Sequence, residues 1–259
     1  MIIDAHVHLP VLDGCISIKQ KKERLLREMA LNQVDYSIVI SDSTLKSEIG
    51  TLDECVRLFD ENENIYVVGG ISPFCEFQTQ LCKLKVYLAE KKIIGIKLFP
   101  GHEAFYLTDE RLMEVYELAV LYNVPILFHS GWDNGKYADV SVTAEVARQY
   151  PHLKLVCCHC FYPEIEKCMQ LIQFQNVFFD LSSIADDRRK IPIISTQIKK
   201  VIAAAPTRVL FGSDYSCCDQ WRHIEFIRCL NLEKSVEDMI FWQNTKNLFS
   251  FEISSGKRI

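Results

Sequence analysis

Eight short apolar runs recur along the chain, with amphipathic stretches between them. They are IIDAHVH (2–8), YSIVI (36–40), IYVVGGI (65–71), IIGIKLF (93–99), PILFHSG (125–131), KLVCCHC (154–160), VFFDLS (177–182) and VLFGSDY (209–215). Each is rich in β-branched or aromatic residues and short enough to be a strand. Near-continuous apolarity predicts strands buried on both faces, as in a parallel sheet. The intervening stretches carry helical stripes. Leu25, Leu26, Met29 and Ala30 form one, and Leu112, Val115, Tyr116 and Ala119 form another at i, i+3, i+4, i+7 spacing. Val201, Ile202 and Ala205 make a third, which Pro206 ends. SVED (235–238) reads as a capping-box variant opening a last helix through MIFWQNTKNLF.

Strand followed by helix, eight times in 259 residues, predicts a single α/β domain over residues 1–259: a (β/α)8 barrel, the TIM fold, slightly elaborated by loops at its C-terminal rim. A doubly wound open sheet is the alternative. Such sheets often carry a Gly-rich phosphate turn after the first strand, and HVHLPVLDG is not one.

A barrel places functional residues where strands end and the following loops begin. His6 and His8 end the first run, Lys97 lies near the end of the fourth, His129 ends the fifth, His159 the sixth and Asp214 the eighth. Side chains two apart on a strand share a face, so His6 and His8 are expected to point together into the barrel mouth. Two imidazoles on one strand can chelate one cation. His129 and Asp214, from strands converging on the same mouth, would complete three nitrogens and one oxygen around an open position. That set suits Zn²⁺, and also accommodates Mn²⁺, Fe²⁺ or Co²⁺. Taken singly, a buried histidine is usually a hydrogen-bonded core residue; it is the shared end of several strands that points to metal. His102, His152 and His223 lie off strand ends and read as surface or loop residues.

Charge and cysteine usage narrow the partners. The formal net charge of -5 leaves no electrostatic footprint for nucleic acid. The basic cluster at Lys19–Lys22 with Arg24 reads as a solvated helix face. No window is long and apolar enough to span a bilayer, and the N-terminus lacks the pattern of a signal peptide, so the expected setting is the cytoplasm. Eleven cysteines without regular spacing do not make a secreted disulfide framework. CCHC (157–160) and SCCD (216–219) lack the paired C-x-x-C knuckles of a structural zinc site and read as buried thiols. There is no Walker loop, G-x-S-x-G elbow or dinucleotide fingerprint.

DAHVHLP, IGIKLFPG, PILFHSG, KLVCCHC and VLFGSDY together resemble the amidohydrolase superfamily, in the branch that includes aminocarboxymuconate-semialdehyde decarboxylase and related metal-dependent hydrolases. The resemblance runs from the first strand to the terminal NTKNLF. It implies one divalent metal held by His6, His8, His129 and Asp214, with no second metal expected. It implies His159 as an acid/base beside the metal; in the mechanism expected here, His159 or Asp214 accepts the proton from the water. Lys97, carbamylated in some relatives, is expected here to stay an ammonium that binds a substrate carboxylate, or else to pack structurally. Trp132, in GWDNGKYAD (131–139), is expected at the rim in contact with substrate, and DNG there reads as a turn. Arg188 or Arg189 of DDRRK could face an anion, although a charge run is usually a solvated face.

The expected activity is hydrolysis of an amide, lactone or ester in a small, carboxylated molecule by a metal-activated water. Decarboxylation on the same scaffold is the alternative. The decarboxylases set an arginine from an early loop against the substrate carboxylate, and SDSTLKSEIG (41–50) has none. A TatD-like nuclease shares HCF (159–161) but expects a glutamate where this chain has GIKLF, and a non-catalytic binding barrel is the last rival. The partner is a small molecule, with neither nucleic acid nor membrane, and the resemblance is compatible with a homodimer.

Overall fold

The computed structural model describes residues 1–11, 17–132 and 135–252. Eight strands hydrogen-bond in chain order, all parallel: β1 (Ile3–Val7), β2 (Tyr36–Ile40), β3 (Ile65–Gly70), β4 (Ile96–Leu98), β5 (Ile126–His129), β6 (Leu155–Cys158), β7 (Val177–Asp180) and β8 (Val209–Leu210). The ring closes where Ala5 N–H donates to Phe211 O (2.9 Å) and Val7 bridges Tyr215. Helices α1 (Ile18–Leu31), α2 (Leu52–Phe59), α3 (Phe77–Ala89), α4 (Met113–Leu121), α5 (Val140–Gln149), α6 (Cys168–Leu171), α7 (Ile191–Ala204) and α8 (Gln220–Cys229) each follow the strand of the same number. The barrel expected from the alternation is thus observed.

Two apolar layers hold it. Ile3, Ala5, Ile38, Ile40, Val68, Leu127, Val156, Cys158 and Leu210, drawn from six of the strands, meet in the barrel interior. Their neighbours along the strands, such as Val39, Val67, Phe128, Cys157 and Val209, face the helices instead. This is the period-two alternation of a strand buried on both sides. The helical stripes behave as expected except at one residue: Leu25 and Met29 are buried, Leu26 is half-buried and Ala30 is exposed.

Helix starts show what a cap requires. Ser17 with Gln20, and Thr51 with Glu54, form reciprocal capping boxes on α1 and α2. SVED does not. The last helical run opens two residues earlier, as α9 (Lys234–Asp238) with Glu233 at its cap position and no side-chain cap, so Ser235 is already inside it. The run continues through a π turn, Met239–Gln243, into α10 (Asn244–Phe249). The sequence motif was present, but without the extended backbone that lets a serine cap.

β1 contains the departure that matters most. Strict alternation puts Asp4, His6 and His8 on one face. The β1–β2 register shifts between Asp4 and Val7, and this irregularity separates them. Asp4 turns toward the helix layer, where it accepts from Ser213 N–H (2.9 Å), Ser213 Oγ–H (2.6 Å) and Gln220 Nε2 of α8 (2.8 Å). His6 and His8 both line the cavity at the mouth.

Candidate metal centre

At the C-terminal ends of the strands lies a cavity of about 700 Å³. All five strand-end residues picked from the sequence as metal ligands or acid/base line it (His6, His8, His129, His159, Asp214), together with Lys97 and Trp132.

His6, His8 and Asp214 form a tight group, with ligand atoms all within 4.8 Å of one another. Nε2 of His6 and Nε2 of His8 each stand 3.5 Å from Asp214 Oδ1. The opposite ring nitrogens are occupied. His6 Nδ1 is 2.6 Å from Asp180 Oδ2, and His8 Nδ1 is 3.0 Å from the Ile40 carbonyl. Both acceptors require Nδ1 to carry the proton, which leaves both Nε2 atoms as lone pairs. Burial holds both imidazoles below the usual histidine range, and the positive charge of Lys97 adds to this, against the pull of Asp214. Burial pushes the Asp214 carboxyl up, but His6, His8 and Lys97 outweigh it and the net direction is down. Three electron-pair donors therefore converge with no proton between them. That is the arrangement a divalent cation satisfies, and these residues fit one.

His129 faces the same cavity but is outside that tight group. Its ring lies 5.0 Å from that of His159 and 4.2 Å from that of His102. His159 is buried, with its ring 5.2 Å from His6. Its Nδ1 is 2.9 Å from Ser182 Oγ, and Ser182 Oγ–H donates to Asp180 Oδ2 (2.8 Å). His159 and His6 thus hang on one carboxylate, His159 through a hydroxyl relay. Burial, then the neighbouring His6 imidazole and the Lys97 ammonium, hold His159 well below the ordinary range, so its second nitrogen is a free base.

Lys97 is buried in the cavity floor and its Nζ–H donates to Cys158 Sγ (3.0 Å). Burial pushes that thiol up to about 12. Trp132 stands half-exposed at the rim, its ring 4.8 Å from Tyr162. Asp133 and Asn134 of the expected DNG turn lie outside the described residues. Arg188 and Arg189 are exposed and absent from the cavity lining, and no arginine is among the described lining residues.

The backbone is shaped for this convergence. His159, Cys160 and Phe161 at the end of β6, and Asp214 after β8, all adopt left-handed φ between 48° and 63°. Such residues cost about 1–3 kcal/mol each and persist where the surroundings over-determine them. Gly212 is required for a different reason. A Cβ there would collide with the Asp180 carboxylate and crowd His6 Cβ, so only glycine lets β8 pass this close.

Several site residues escaped the sequence reading. Asp180 and Ser182 sit in VFFDLS at the end of β7, where the strand-end rule could have found them. His102 reads as a loop residue, yet its imidazole lines the cavity. His223 is not on the surface: it is buried in α8, its Nδ1 2.9 Å from Asp219 O and its Nε2 accepting from Ala185 N–H (3.2 Å). His152 is exposed, as expected.

Among curated proteins none matches the sequence. Solved structures match the fold closely at low identity. A probable 2-pyrone-4,6-dicarboxylic acid hydrolase from Acinetobacter baumannii, with citric acid bound, superposes with a TM-score of 0.69 at 13% identity, covering 96% of this chain and 99% of that one. A 4-oxalomesaconate hydratase from Rhodopseudomonas palustris gives 0.70 at 18%, covering 96% of each chain. A dihydroxybenzoic acid decarboxylase from a Polaromonas species, with bound manganese and the inhibitor 2-nitroresorcinol, gives 0.70 at 14%, again covering 96% of each. A family model described as Amidohydrolase matches residues 3–251, nearly the whole chain, and with that match this eight-stranded barrel belongs to the amidohydrolase family of enzymes.

Proposed function

We propose that this chain is a metal-dependent hydrolase that opens an amide, lactone or ester bond in a small, carboxylated molecule. The observation that carries the reading is the convergence of His6 Nε2, His8 Nε2 and Asp214 Oδ1, with both Nδ1 protons committed elsewhere. His6, His8 and Asp214 would hold one divalent cation, Zn²⁺ by preference for two nitrogens and an oxygen, with His129 as the fourth candidate ligand. When bound, the cation supplies Lewis acidity toward a carbonyl and toward water.

The chain's own residues supply the proton traffic. His159 accepts a proton from the attacking water at its free ring nitrogen and returns it to the leaving group. Ser182 and Asp180 hold its tautomer and stabilise the imidazolium that forms in between. Asp214 can share the proton. Lys97 offers an ammonium to the substrate carboxylate, and Trp132 covers the rim. The cavity's volume and the chain's negative charge favour a small molecule over nucleic acid. The ten cysteines described are all free thiols, which fits a reducing compartment, the cytoplasm. No helix among the described residues is long and apolar enough to cross a membrane.

Decarboxylation is the second reading. The same relay at His159 could deliver a proton to the carbon from which carbon dioxide departs, and a decarboxylase shares the fold. Chelator-stripped protein reconstituted with Zn²⁺ or Mn²⁺ decides between them on a panel of small lactones, esters, amides and aromatic acids. Metal-restored turnover without carbon dioxide release supports hydrolysis. Carbon dioxide release moves the assignment to the second reading, and failure to take up any divalent metal overturns both.

A further inference from the structure

The loop after β4 holds His102 in a tight turn. Glu103 N–H donates to Phe99 O and Gly101 N–H to Glu103 O, each at 2.9 Å, and Gly101 has a φ of +96°. The turn is also anchored from outside. The Glu103 carboxylate accepts from Ser43 Oγ–H (2.7 Å) after β2 and from the Ser72 hydroxyl after β3. Three consecutive loops are therefore joined at the mouth, and the residue they present is His102. Its ring lies 4.2 Å from that of His129 and 6.3 Å from that of Phe99, and it lines the cavity. Among the described residues no hydrogen-bond partner meets either of its nitrogens.

Beside it on the same strand and loop is Lys97. Its ammonium has three protons and directs one to Cys158 Sγ. A carboxylate-bearing ligand in an amidohydrolase cavity needs donors, and this cavity has no arginine among its described lining residues. The unspent donors on the β4 wall are those of Lys97 and His102.

We propose that His102 is a substrate-binding residue: with Lys97 it holds a second carboxylate of the substrate, so that the cavity selects small dicarboxylic acids and their derivatives over monocarboxylic ones. The proposal rests on the metal-dependent reading only in placing the first carboxylate or carbonyl at the His6–His8–Asp214 group. Glu103, which does not need to touch the ligand, is a positioning residue for it.

The test is calorimetric titration of the full-length, metal-loaded protein with succinate, glutarate and acetate, in wild type, His102→Phe and His102→Gln. Wild type should bind the dicarboxylates more tightly than acetate. His102→Phe should weaken dicarboxylate binding by about tenfold or more, the scale of a hydrogen bond to a charged group, and leave acetate binding and metal content unchanged. His102→Gln, which keeps an N–H donor, should recover part of the loss. If His102→Phe does not fold, His102→Ala carries the same comparison. The proposal is overturned if wild type fails to discriminate, if His102→Phe discriminates as wild type does, or if its acetate affinity and metal content fall together. A wild type that takes up no metal would instead sink the hydrolase reading, and succinate binding to that metal-free protein would still test His102.

Discussion

On the β1, β7 and β8 side of the mouth, both imidazoles of the metal group have their inner nitrogens engaged: His6 with Asp180, His8 with the Ile40 carbonyl. His159 joins the same network through Ser182. Across the mouth, on the β4 and β5 side, His102 and His129 have ring contacts only, and no hydrogen-bond partner for their nitrogens among the described residues. The first half is organised before anything binds, which is what chelation and proton transfer require, since a misplaced ligand or base loses most of its effect. The second half keeps donors and acceptors unspent. A polar atom facing a cavity is satisfied by water or ligand, so leaving it without a protein partner is cheap there and prohibitive in a core. One side is fixed around the candidate metal group, and the other keeps its polar groups open to the cavity.

Substitutions can break that contrast in graded steps. The largest effect should come from His6→Ala or Asp214→Ala, which remove a chelating atom from the organised side. Metal content should fall from one equivalent to none by elemental analysis, and turnover to background. Next, His159→Asn should lower kcat by about 10²–10⁴-fold, the usual worth of a general acid-base group; retention of one metal equivalent would separate this loss from the first. Asp180→Asn sharpens the comparison by loosening both imidazoles it serves. We expect metal affinity about 10–100-fold weaker, measured by competition with a chelator. On the open side, Glu103→Gln frees the His102 turn and should raise KM about two- to tenfold with kcat little changed, the net worth of one hydrogen bond. The smallest effect is expected for Arg188→Ala combined with Arg189→Ala, since neither side chain reaches the cavity. A change in KM beyond experimental error would show that the outer loops contribute to recognition.

Much of this was legible in the chain because it is local. A strand that alternates every second residue and a helix that repeats every 3.6 declare themselves within a few residues, and eight such units imply the barrel. The strand-end rule then gathered His6, His8, His129, His159, Asp214 and Lys97 at one cavity, as found. The rule had the power to include Asp180 as well, but an aspartate closing an apolar run looks like an ordinary turn residue until a histidine from β1 is seen against it.

What the amino-acid sequence determined by itself is the layered barrel and the end of it where the candidate site lies, because both follow from periodicity along single segments. Tertiary structure alone decided the rest. The irregularity in β1 turns Asp4 outward and leaves His6 and His8 facing in. Gly212 lets β8 approach Asp180 and His6. Glu103, bonded to serines some 30 and 60 residues away, carries a loop histidine to the cavity. Each of these depends on atoms from distant segments meeting within a few ångströms, and no pattern within one segment contains that distance.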